Sequence, residues 1–203
     1  EGMAQKLMPF KTDTKTGKLV NIDVTSKCYL TTPNEISKTP AYGFLFRNTN
    51  SGNVFYEGVH RRIIDAYRDP YFRLATACSA DSANHKLAKE TIEKMEANIP
   101  RNVIPMDYRF KYRVSLLLYK INEMQLFNEY AAEIEKSALE DIQANPANIA
   151  LTEYNPYTIL VNIYDAKGDY QKAYDYLKRI YDKNPNDPTV LQKMNVLKQK
   201  LGL

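Results

Sequence analysis

At Asp69-Pro70, Asn155-Pro156 and Asp187-Pro188 a short polar side chain stands directly before proline, and an apolar run of helical period follows each. The aspartate or asparagine oxygen can accept a hydrogen bond from the first backbone N–H groups of a helix. Proline at the first helical position has a suitable φ already and lacks an N–H that would go unpaired. Each pair therefore predicts a helix start. The words that follow the first two also match: Asp69-Pro70-Tyr71-Phe72-Arg73-Leu74-Ala75 aligns with Asn155-Pro156-Tyr157-Thr158-Ile159-Leu160-Val161, and farther on Ala88 and Pro100 correspond to Ala173 and Pro185. Self-similarity of this kind predicts helix pairs that bury their apolar faces by stacking on neighbours.

Residues 154–187 carry the pattern most fully. Tyr157, Leu160 and Tyr164 line the first helix, Gly168 makes the turn, Ala173, Leu177 and Ile180 line the second, and Pro185 ends the unit. Gly168 can adopt the left-handed conformation that stops a helix, Asp169 can cap the next, and the small Ala173 lets two antiparallel helices approach closely. In these residues the segment resembles a tetratricopeptide repeat, departing at Val161, where that family usually has a small residue. Residues 69–100 keep Leu74, Ala75, Ala88, Ile92, Met95 and Pro100 but turn through the glycine-free SADSANH. Residues 104–146 read as an irregular helical pair, with Val114, Leu118, Phe127, Ala131 and Ile134 inward and Asn122 at the turn. Residues 188–201, with Val190, Leu191, Met194, Leu197 and Leu201 on one stripe, read as a terminal capping helix.

The first 55 residues have a different texture, rich in Thr, Lys, Asn, Gly and Pro with only short apolar runs, and helix is not expected there. Two β-hairpins are predicted instead: KLMPFKTD and KLVNID around Thr14-Lys15-Thr16-Gly17, and GFLF and NVFY around residues 47–52. From residue 56 a helical stripe of Val59, Ile63, Ala66 and Tyr67 begins, to end near Arg68. The expected fold is thus mainly α, a tetratricopeptide-like helical-repeat array or α-solenoid over residues 56–203, preceded by a small irregular region with β-hairpins over residues 1–55.

Chemistry is harder to find. The two histidines, His60 and His85, stand far apart without a further ligand at metal spacing, and Cys28 and Cys78 form no CxxC frame, so neither a metal nor a cofactor is expected. Whether the two cysteines pair stays open. No phosphate-binding glycine loop or nucleophile motif occurs, and Glu133 and Glu135 should point from different helix faces, so no catalytic residue is nominated. The net charge of +4 is spread along the chain, which argues against a nucleic-acid partner. No apolar run is long enough to span a bilayer.

Two surfaces are candidates for binding. The first helix of the 154–187 pair would present Asn155, Thr158, Asn162 and Asp165 to a groove that could hold an extended peptide. Arg61, Arg62, Arg68 and Arg73 form the densest basic group, suited to phosphate or a membrane surface, or simply to ion pairs with Glu57, Asp65 and Asp69. Of sixteen tyrosines, Tyr157 and Tyr164 fall at core positions, while Tyr154, Tyr170 and Tyr174 are freer to touch a partner.

A wider resemblance joins these pieces. EGMAQKLMP, VFYEGVHRRIIDAYRDPYFRLA, KLAKETIEKMEANIP and VIPMDY resemble the tail of a bacterial family of multi-spanning membrane proteins that is similar to transmembrane O-mannosyltransferases. The start at Glu1 without an initiator methionine fits a piece of a longer polypeptide. The resemblance implies a noncatalytic interaction or scaffolding tail on the extracytoplasmic, periplasmic side of the cell envelope. Transferase chemistry would lie in the membrane portion, and the partner would be a protein, a peptide or the upstream membrane region itself. Two other readings stay open: an independent tetratricopeptide scaffold, and a soluble carbohydrate-binding protein using Tyr170 and Tyr174.

Overall fold

The computed structural model describes residues 20–203 and is mainly helical, with nine α-helices, one short 3₁₀ turn and no strand among the described residues. The chain divides into two compact units at Met106–Asp107.

In the first unit α1 (Ile22–Leu30) packs on a hairpin of α3 (Arg68–Cys78) and α4 (His85–Asn98), with α2 (Gly58–Ala66) leading directly into α3. The helix α1 corrects the expectation of hairpin structure. The Thr14–Gly17 turn lies outside the described residues, but Asn21 caps α1 by accepting from the Val24 N–H, and Ile22 and Asp23, read as the end of a second strand, open the helix. The GFLF and NVFY runs do not pair either. Phe44 and Phe46 instead join Tyr29, Tyr67 and Tyr71 in an aromatic cluster, with ring centroids 5.0 Å apart for Tyr29–Phe44 and 5.8 Å for Phe46–Tyr67. Burying those rings against α1 and α3 outweighs a two-stranded ladder that would have little else to pack on. Asn48 does take the left-handed turn conformation, with φ of 62°.

The stripe assigned to α2 is also corrected. Val59 and Ile63 are about half exposed, while Ile64, on a different face, is the partly buried one. The break between α2 and α3 falls at Tyr67, so Asp69 and Pro70 sit inside the first turn of α3. There the missing proline N–H still costs nothing. The α3–α4 interface holds Leu74, Ala75, Ala88, Ile92 and Met95, all essentially fully buried. Its glycine-free turn closes with Asp81 accepting from the Ala83 N–H ahead of the 3₁₀ turn Ser82–Asn84.

The second unit runs through α5 (Tyr108–Lys120), α6 (Met124–Ala144), α7 (Pro156–Lys167), α8 (Tyr170–Lys183) and α9 (Pro188–Leu201), each helix packing on the next. The expected turns hold. Asn122 has φ of 63° between α5 and α6, and Gly168 has φ of 78° between α7 and α8. Asp169 then caps α8 through the Lys172 N–H, and Asp187 caps α9 through the Thr189 and Val190 N–H groups. Ala173 is fully buried between α7 and α8, and Val190, Met194 and Leu197 turn the inner face of α9 onto its neighbours. Leu191, placed on the same stripe, is instead exposed.

A candidate interaction groove between two helices

Four α7 side chains were expected to line one groove, and the fold divides them. Asn155 and Thr158 are buried and fully occupied. The Asn155 side chain accepts from the Tyr157 N–H and donates through Nδ2 to the Asn148 carbonyl at 2.9 Å. Thr158 Oγ1 donates to the Ala150 carbonyl at 3.0 Å. Both pin the 145–155 connection, whose carbonyls would otherwise face the helix unpaired. Asn155 is thus a cap and a loop anchor, unavailable to a ligand.

Asn162 and Asp165 are different. Together with Val161 they form one wall of a groove of about 320 Å³, whose other wall is α9 with Thr189, Gln192, Lys193, Val196 and Leu197. The α9 residues were not foreseen as lining. The signal was present in that Val196 falls off the Val190-Met194-Leu197 stripe and therefore had to face outward. Val196 is 45% exposed, so the α9 wall keeps an open apolar patch.

Hydrogen bonds fix both polar groups. Asn162 Nδ2 donates to Tyr112 Oη at 2.7 Å, tying the α7 amide to a buried α5 phenol. Burial raises that phenol's pKa, and the Asn162 bond partly offsets the rise. Asp165 Oδ1 accepts from Lys200 Nζ, and this bond raises the lysine's pKa above its ordinary value. The Lys200 ammonium also lies 5.0 Å from the centre of the Tyr170 ring. The charge of Asp165 is thereby met by Lys200, which is not itself a lining residue of the groove.

Around this site the remaining polar contacts brace helices. Glu133 pairs with Lys111 on α5 at 2.6 Å, whereas Glu135 accepts from Tyr164 at 2.8 Å and from Lys167 at 3.1 Å, both on α7. The two carboxylates therefore do point to opposite neighbours. Burial, then the bond to Glu135, pushes the Tyr164 phenol well above its usual range. Tyr157 and Tyr164 are core residues, Tyr154 is exposed, and Tyr170 and Tyr174 are half-buried.

The four arginines also separate. Arg68 is buried at 1% exposure, with its guanidinium donating to the carbonyls of Ile99, Ile104 and Pro105 and to Asp65. Arg73 pairs with Asp69 at 2.6 Å, and Arg61 lies over the Phe55 ring at 6.0 Å. Of the four, Arg61 and Arg62 are the exposed residues. The basic group is mostly structural. Among the described residues no three His, Cys, Asp or Glu side chains converge as metal ligands, and Cys28 and Cys78 are separate thiols.

No family model, curated protein or solved structure matches the chain. Among the described residues, no helix is long and apolar enough to cross a membrane.

Proposed function

We propose that the chain is a noncatalytic interaction domain of tetratricopeptide type that holds an extended segment of a partner protein in the α7–α9 groove. One observation carries this reading. Helices α7 and α9 leave between them a groove lined by the exposed Val196 and by two side-chain amides, Asn162 and Gln192. An apolar patch edged by hydrogen-bonding side chains suits a peptide, whose side chains alternate with a regular row of backbone donors and acceptors. The repeat reading is supported by the left-handed Gly168, the Asp169 cap and the buried Ala173 of the α7–α8 hairpin, and by α9 covering α8.

The sequence resemblance extends the proposal. The domain would be the extracytoplasmic tail of a membrane glycosyltransferase-like protein, presenting acceptor protein or bracing the membrane region. A crosslinking pull-down from envelope extracts tests it, with the intact chain beside Val196→Gln, an exposed-site change compatible with the helix. A protein recovered by the intact chain and lost from the variant is the expected result. Equal recovery by both, or recovery of nothing, sinks the groove assignment.

A further inference from the structure

Charge within the groove is unbalanced in a way that specifies an occupant. Of its two acid–base side chains, Asp165 is already engaged by Lys200. Lys193 lines the opposite wall, is half-buried, and has no carboxylate partner among the described residues. With no carboxylate beside it, the Lys193 ammonium can donate to an incoming anion, and such a charge-assisted hydrogen bond is among the stronger polar contacts. Val161, Val196 and Leu197 supply an adjoining apolar surface that a charged side chain cannot fill. Resting on the proposal that the groove is a binding site, we infer that it selects an extended protein segment in which an aliphatic side chain neighbours an aspartate or glutamate. The aliphatic group packs on Val161, Val196 and Leu197, and the carboxylate accepts from Lys193 Nζ. A basic segment is disfavoured because Lys200 already neutralises Asp165, the groove's only carboxylate among the described lining residues.

Fluorescence anisotropy with the full chain and short labelled peptides, acetylated and amidated so that only side chains carry charge, tests this. The peptides differ at one pair of positions: Leu-Glu, Leu-Gln, Leu-Lys and Ser-Glu. The Leu-Glu peptide should bind about tenfold more tightly than Leu-Gln, the size expected of one charge-assisted bond at a half-buried site, and the gap should shrink with salt. Ser-Glu should bind weakly, because the apolar contact is lost. Lys193→Gln should erase the Glu-over-Gln preference, and Lys193→Glu should turn it toward Leu-Lys, with helicity unchanged because Lys193 has no bonding partner among the described residues. Equal binding of Leu-Glu and Leu-Gln, a preference that survives Lys193→Gln, or no binding by any peptide overturns the inference. A Leu-Gln peptide that binds as well as Leu-Glu and is lost with Val196→Gln would overturn the acidic choice while the groove itself stands. A free-carboxyl Leu-Gln peptide outcompeting amidated Leu-Glu would move the anion to a chain terminus and likewise overturn it.

Discussion

Replacing Arg68 by methionine keeps most of the aliphatic stem and removes the guanidinium, so it isolates what that group does in the first unit. Its Nη2 donates to the Ile99 carbonyl at 3.0 Å and to the Ile104 carbonyl at 2.5 Å. Both acceptors belong to residues that are almost fully buried, so water cannot replace the lost donor. Each orphaned carbonyl costs about 1.5–2 kcal/mol. The longer contact to Pro105 and the pair with half-exposed Asp65 together add under about 1 kcal/mol. Against this, Arg68 Nε is buried without a partner, and losing it returns about 1 kcal/mol. The expected net loss is about 3 kcal/mol, roughly a 150-fold rise in the unfolded fraction. Urea unfolding followed by circular dichroism measures the total. Hydrogen exchange should show the amides of residues 99–105 losing protection first, because Arg68 is what holds that turn to α3. A loss below about 1 kcal/mol with unchanged protection there would refute the reasoning.

Other outcomes follow from the same contacts. Asn155→Ala removes both the α7 cap and the anchor on the Asn148 carbonyl and should cost about 2 kcal/mol in chemical unfolding; a cost near zero would mean the 145–155 connection is held by other groups. Ala173→Leu inserts a branched side chain where α7 and α8 meet and should destabilise by about 1–3 kcal/mol, while the same change at exposed Ala132 on α6 should stay within about 0.5 kcal/mol. Burial pushes the phenols of Tyr29 and Tyr71 up to about 12. Because the folded values are raised, their contribution is whole below the unfolded value of about 10 and is lost as pH rises through the folded one. Phenolate absorbance and helicity recorded together should therefore show alkaline unfolding between about pH 10 and 12, and two tyrosines ionising near pH 10 with helicity retained would contradict it.

Helix starts and stops were legible because their causes are local. Asn155, Asp169 and Asp187 cap the residues that immediately follow them, and Gly168 and Asn122 adopt positive φ where a short turn requires it. The inward positions of α5 to α8 were equally legible, since a 3.6-residue period reports which face a helix must hide. Residues 20–57 were misread for the opposite reason. Short apolar runs such as GFLF carry no period long enough to separate strand from extended coil, and the aromatic cluster that claims Phe44 and Phe46 draws Tyr29 and Tyr71 from distant parts of the chain.

Arg68 shows the same limit at a single residue. It lies on one helical face with Tyr71 and Ala75, a hint of burial, yet its partners Ile99 and Ile104 come from a turn no local rule connects to it. The groove divided along that line as well. The polar character of Asn155, Thr158, Asn162 and Asp165 is in the sequence, but which of them stay available depended on where the 145–155 connection and α9 settled. By itself the sequence determined the helices from α3 onward, most of their caps and their apolar faces, all set by interactions within about one turn of chain. Only the tertiary structure decided which polar groups are spent inside the fold and which stay exposed, because that depends on hydrogen bonds reaching beyond one helical turn, from Asn155 to the Asn148 carbonyl and from Asn162 to Tyr112.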